Sequence, residues 1–468
     1  MMNWLFRALN KPRRQAASPR RAAEGRGGKL RFESLESRQM LSAVSWVGGT
    51  TGLWDKAANW STGAVPGASS NVSIGSGATV TIQSGDAESI ASLSTAAGST
   101  LVMSGGSTAS LSVASASLAG NCTIAYGGIL EGNVTFLATV NCSGTMSGTM
   151  QIASSGTLNI STSVAVKLGG VLDNYGAANW TGGQIWMLPG TTINNYGSWT
   201  DNPAVGSGGE VIIECAQNIH QCVFNNESGA TFTQAGGATS FSEFHINSPM
   251  IFNNLGTVVV SQGTLNLLSG LTQIPGSTPT QVGTVVIPGT PGTLTGGNWE
   301  ILAGGTLSTM PGGPAITTND GNVTLSGAGS SFAAIDGLAT NNGTFSVLSG
   351  ATFTTAGGLT NNDSLSIGGA VDVKGSYTQA ASGTLVEQIG GTGTGQFGQL
   401  TATGTASVAG ALDVDLTGGF QPGAGESFTF LSAASVVGQF SSVADTTPGS
   451  TIPFSVTYTA DTATLEVT

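Results

Sequence analysis

The side chains that could do chemistry in this sequence are few and widely spaced. Cys215 and Cys222 flank His220 in ECAQNIHQC. Two thiolates, an imidazole and a carboxylate such as Glu214 are the donor set of a four-coordinate metal site, but this spacing matches no standard zinc motif. A local disulfide clamping a loop is the preferred reading. Cys122 and Cys142 hold the same place in the matching phrases NCTI and NCSG, one repeat apart. On neighbouring turns of a repeat they would either pair as a disulfide or stack as free thiols. Neither His220 nor His245 sits in a metalloprotease motif or close in sequence to a recognisable nucleophile. Asp413 and Asp415 share one face of a strand, as a carboxylate pair or a calcium site requires, and a solvated outer face accounts for them more simply. The run GGTGTGQFG at 390–398 has the glycines of a phosphate loop without the following lysine or helix. Asp201, Glu210 and Glu243 lie in the least periodic stretch and are the acids on which a polysaccharide-cleaving site would draw. Trp46, Trp54 and Trp60 crowd one short span, where they would cap a fold or form an aromatic platform for sugars; capping is the preferred reading. These sets assign no catalytic residue, no cofactor and no metal.

The composition limits what can position such groups. Of 468 residues only 8% are charged, against roughly 25% in a typical soluble protein, and glycine occurs 72 times. A surface so poor in charge must be built from Ser, Thr, Asn and Gly. The net charge is -12, and ten of the 13 Lys and Arg lie between Arg7 and Arg38. Beyond them stand only Lys56, Lys167 and Lys374, too few to neutralise phosphates, so the body is expected not to bind nucleic acid. No run approaches the ~18 consecutive apolar residues of a spanning helix, and no transmembrane segment is expected.

After residue 43 a repeat takes over. An apolar residue or Thr precedes Asn-Asn or Asp-Asn, followed by Gly and then alternating small and apolar residues. The second asparagines of this phrase are Asn174, Asn195, Asn226, Asn254, Asn342 and Asn362, and the shortest steps run from Asn174 to Asn195 and from Asn342 to Asn362. A period near 20 made of β bursts and Asn/Gly turns predicts an all-β fold, a right-handed parallel β-helix or β-solenoid in which these asparagines stack at coil corners. Each coil buries its apolar face only by stacking on its neighbours. At ~20 residues per coil, residues 76–375 would form about 14 coils.

Four parts follow: a basic, largely disordered export segment at 1–43, a Trp-rich cap at 44–75, the solenoid at 76–375 and a carboxy-terminal antiparallel β region at 376–468. In the last, ALDVDL and SFTFL are expected to pair across the turn GFQPGAGES.

KLRFESLESRQMLSA resembles the LEPR-XLL motif of large bacterial surface and secreted proteins. Leu35, Glu36, Arg38 and Leu41 match it, with Ser37 in place of proline and Met40 in place of leucine. The span from Trp46 to Pro66 is similar to the entry segment of bacterial β-helical surface proteins and autotransporter-like passengers. Most of 375–441 resembles the β region that closes many of them, departing at Gly398, where related sequences often carry Asp. The resemblance implies an exported bacterial protein, extracellular or at the cell surface, with extracellular polysaccharide or other surface proteins as partners. A structural or adhesin-like role without catalysis is expected, the alternative being a carbohydrate-active enzyme or a glycan-binding module.

Overall fold

The structure, a computed structural model, describes residues 43–106, 108–161, 163–202, 210–215, 221–244, 250–267, 285–286, 292–309 and 315–468. The chain divides into two compact units, Met1–Met40 and Leu41–Thr468. The first lies outside the described residues, and with it the expectations for the basic segment.

Strands dominate, and among the described residues the only helical pieces are the 3-10 turns Ala57–Asn59 and Ala333–Ile335. Strands of the type Thr79–Ile82 (TVTI) alternate half-buried and buried residues. β-Branched side chains suit this pleat, since one side of every strand faces the interior. The fold is a parallel β-helix. Ile185–Met187, Thr192–Asn195 and Ser198–Asp201 form the sides of one coil. The next coil repeats them as Glu210–Cys215, Cys222–Asn226 and Thr231–Gln234, each parallel to its predecessor. In the earlier coils two of these sides are one bent strand, as in Val166–Asn174, which forks to pair with both Ile185–Met187 and Thr192–Asn195.

One sheet runs as a parallel ladder from Thr51–Leu53 to Ser442–Asp445, and its first and last strands do not pair, so it is open and not a barrel. The cap is thus already part of the coils: its Thr51–Leu53 begins this ladder, its Ala43–Ser45 pairs with Asn71–Ile74 in a second sheet, and Trp54 and Trp60 are buried. Coil length is not constant: it nearly doubles between the short step from Ile129 to Thr145 and the long one from Asn195 to Asn226. The core is the inside of the coil, and around Phe224 it is a cluster of interlocked rings with Trp199, Phe232, Phe244 and Phe252.

Two expectations are corrected here. Ala411–Leu416 does not pair with Ser427–Gly438. The intervening GFQPGAGES carries the chain round a corner, so the first strand stacks between Thr384–Ile389 and Ser442–Asp445, and the second on Gln399–Val408. Antiparallel pairing at this end begins later than expected. Apart from a single bridge between Ile389 and Phe397, it is confined to Phe454–Tyr458 and Thr462–Val467, the latter lying along Ser427–Gly438. A strand turned back in this way covers an edge that another chain would otherwise extend.

The second correction concerns Cys122 and Cys142. Cys122 lies opposite Val140, and Cys142 opposite Ile124. One coil here runs only from Cys122 to Val140, so the second cysteine falls two positions beyond its expected partner. The two Cα atoms are then about 8 Å apart, beyond disulfide reach. Both are free, buried thiols, and burial, with Cys142 nearby, pushes the Cys122 thiol far up.

Candidate functional site: the outer columns of one corner

The inward residues near one corner form a single file down the stack. Ile74, Thr95, Leu118, Phe136 and Ile152 come first, each in register with the next. Asn174, Asn195, Asn226 and Asn254 continue the same file, fully or almost fully buried. Their amides form a ladder: Asn174 Nδ2 donates to Asn195 Oδ1 at 2.8 Å, Asn195 to Asn226 at 2.9 Å and Asn226 to Asn254 at 2.8 Å. The second proton of each amide goes to a backbone carbonyl of the next coil, from Ser198, Thr231, Thr257 and Asn298 in turn. An amide both donates and accepts, so identical residues one coil apart satisfy one another.

A second buried ladder runs through Asn319, Asn341, Asn361 and Gln379. The expected corner residues Asn342 and Asn362 are therefore corrected by one position. They lie outside, where Asn362 donates to Asn342 and Asn342 to the Asp320 carboxylate, both at 2.8 Å. At Asn174, Asn195, Asn254, Asn319 and Asn341 the buried asparagine is followed two residues later by a glycine, in NYG, NLG, NDG and NNG, whereas Asn226 and Asn361 lack it, in NES and NND. That glycine has a packing reason: a Cβ on Gly343 would fall 2.1 Å from Gly321 O, and one on Gly197 2.2 Å from Gly176 O.

One position before the inner file, on the outside, runs a polar column. Ser45, Ser73, Ser94, Ser117, Thr135, Gln151, Asp173, Asn194, Asn225 and Asn253 are in register over ten successive coils. Its amides point their donors the other way: Asn253 donates to Asn225, Asn225 to Asn194 and Asn194 to Asp173, each at 2.8 Å. A carboxylate, which only accepts, ends the chain of donors. One position after the inner file lies a second outer column that runs Leu137, Ala153, Tyr175, Tyr196, Glu227 and Leu255 over successive coils, with Leu137, Tyr175, Tyr196 and Leu255 each about 40% exposed. The rings of Tyr175 and Tyr196 stack 4.6 Å apart at 7°. The corner thus presents hydrogen-bonding groups repeated every ~4.8 Å beside a column of exposed Leu and Tyr side chains that Glu227 interrupts.

The remaining candidates are placed as follows. Cys215 and Cys222 form a disulfide with Cα atoms 5.7 Å apart, which leaves neither as a thiolate ligand. His220 and His245 lie outside the described residues. Asp201 is in the core, stacked over Gln234, while Glu243 points outward from a different side of the coil; the side chain of Glu210 lies outside the described residues. Asp201 and Glu243 are not brought together. Asp413 and Asp415 face outward, and Asp415 accepts from Gln388 Nε2 at 2.9 Å. After the loop at 390–398 comes the strand Gln399–Val408, not the helix of a phosphate site.

Two acids are buried in the core: Asp201, a candidate from the sequence, and Glu387, which the sequence did not single out. Both oxygens of Asp201 lack a hydrogen-bond partner, and burial pushes its carboxyl up to about 8 while the nearby Ser242 hydroxyl, outside hydrogen-bonding range, draws it back only in part. Glu387 is fully buried between Ile367 and Val414, and burial holds it well above the usual carboxylate range. A Cβ on Gly398 would fall 2.7 Å from this carboxylate and 2.3 Å from Ile367 O. Any side chain at that place would collide with Ile367 O and the Glu387 carboxylate. Compared with known proteins, the chain matches no family model and no curated protein.

Proposed function

We propose that this chain is an exported bacterial surface or extracellular protein that works as a structural and adhesive scaffold, without catalysis of its own, and meets extracellular polysaccharide along its outer columns. The observation that carries this reading is the ten-coil file of hydroxyl, amide and carboxylate side chains beside the exposed Leu/Tyr stripe. Repeated donors and acceptors at fixed spacing suit a repeating polyhydroxyl chain, and aromatic rings suit its apolar faces. Export is supported by the LEPR-XLL-like residues Leu35, Glu36, Arg38 and Leu41.

The test is retention of the full chain on insoluble polysaccharides, with released reducing ends assayed in parallel. Retention without release, weakened at least fivefold in Tyr175→Ala/Tyr196→Ala, is the expected result. Accumulating reducing ends would overturn the scaffold reading in favour of an enzyme.

A further inference from the structure

The three tryptophans of the cap do not share one role. Trp54 and Trp60 are buried, their rings 4.7 Å apart edge to face, and Trp60 Nε1 donates to Trp54 O at 2.7 Å. Trp46 is only half buried and lines an open cleft of about 460 Å³. The stacked residues Ser45, Ser73 and Ser94, the start of the polar column, line the same cleft, and Ser73 Oγ donates to Ser45 Oγ at 3.0 Å.

The ring is held before any ligand arrives. Its Nε1 donates to Gly49 O at 2.9 Å, and its edge packs on Trp60 at 5.1 Å. Gly48 and Gly52 give it room, since a Cβ on either would fall 2.7 or 2.9 Å from the ring. A fixed aromatic ring loses little conformational entropy on binding. Among the described residues no charged residue lines the cleft. We infer that this cleft binds an uncharged saccharide unit of one to three sugars, the apolar C–H face of a pyranose against Trp46 and its hydroxyls on the serine row. The cleft's volume falls in the range of small-molecule sites, and a ring beside hydroxyls is amphipathic in the way a sugar is. A uronate or phosphate would find no cation among these lining residues.

This site rests on the polysaccharide reading above but is distinct from the Leu/Tyr stripe, and Gly75 separates the two. Gly75 lines the cleft, its φ is not positive, and a Cβ there meets no heavy atom within 4 Å. Gly75→Leu therefore fills the cleft without disturbing the cap. Saturation-transfer NMR of the full chain with cellobiose, xylobiose, mannobiose and N,N′-diacetylchitobiose, with digalacturonate as the charged control, reads binding directly. Wild type should bind at least one neutral disaccharide and not digalacturonate. Gly75→Leu should melt as wild type does and weaken that binding at least tenfold, while Tyr175→Ala/Tyr196→Ala leaves it within twofold. Binding that survives Gly75→Leu, a preference for digalacturonate, or no binding of any neutral disaccharide would overturn the inference. If the protein is retained on insoluble polysaccharide yet binds none of the disaccharides, the scaffold reading stands and the cleft fails alone.

Discussion

The inner file at the corner uses two chemistries in succession. From Ile74 to Ile152 it is mostly apolar, and from Asn174 to Asn254 it is an amide ladder with the same backbone register. The apolar part gains from burial, which is non-directional, and any side chain of similar volume serves there. The amide part gains little per bond, about 1 kcal/mol net, but each rung is satisfied only by another amide in the right place. The first part supplies stability and the second specifies register. The junction shows the difference: Asn174 Oδ1 lacks a partner because Ile152, one coil earlier, has nothing to donate.

The largest effect is expected where volume is lost. Phe136→Ala should cost about 3–5 kcal/mol in chemical denaturation, as buried aromatic truncations do. A loss below ~1 kcal/mol would show that the apolar stretch collapses freely and would erase the contrast with the ladder.

Asp201 sharpens the comparison from the opposite side, since it is a buried polar group that cannot form a ladder. Its folded pKa, about 8, lies above the ordinary value of 3.8, so the folded state holds the proton more tightly. Stability from this group is fully present below the ordinary value, falls as pH rises towards 8 and then levels off. Glu387, shifted in the same direction by burial, adds to that slope. Asp201→Asn places an amide donor above Gln234, whose Oε1 lacks a partner. The variant should gain about 2–4 kcal/mol at pH 9 and show a flatter stability profile above pH 4. Equal slopes in the two proteins would mean that Asp201 is hydrated.

The junction itself can be moved. Ile152→Asn gives up apolar burial but offers its amide to Asn174 Oδ1, whereas Ile124→Asn, equally buried on another side of the coil, faces the Cys142 position and meets no amide. Thermal or chemical denaturation should find Ile152→Asn less costly by about 1–2 kcal/mol. If the two cost the same, the ladder does not extend by addition of a rung.

Much of this was legible in the sequence, because the β-helix repeats and its coil length is written in recurring phrases. The exact inward phase was harder to read. Doubled asparagines leave two choices, and a glycine two positions on decides between them where it is present, as after Asn195, Asn254 and Asn341 but not after Asn226 or Asn361, because it must pass under a carbonyl of the neighbouring coil. The pairing of Cys122 with Cys142 failed for a related reason: identical phrases need not be in register when one coil can be nearly twice as long as another. Asp201 could have been found by alternation, since Trp199 and Asp201 in SWTD share the inward face. The role of Trp46 had no sequence signal that separates it from Trp54 and Trp60.

The smallest effect tests the phase between adjacent residues. Asn341 is buried, donating to Asn361 Oδ1 and to Ser364 O at 2.8 Å each, and accepting from Asn319. Its neighbour Asn342 is exposed, and its partners Asp320 and Asn362 reach water when it is removed. Asn341→Ala strands a buried donor and should cost about 2–3 kcal/mol, while Asn342→Ala should cost less than ~1 kcal/mol. Both variants keep Gly343, so the close approach of the backbone to Gly321 is untouched and the difference isolates the amide. Urea denaturation of the two proteins side by side reads it. Equal costs would place the inward amide at neither position and undo the register on which both ladders and the outer columns depend.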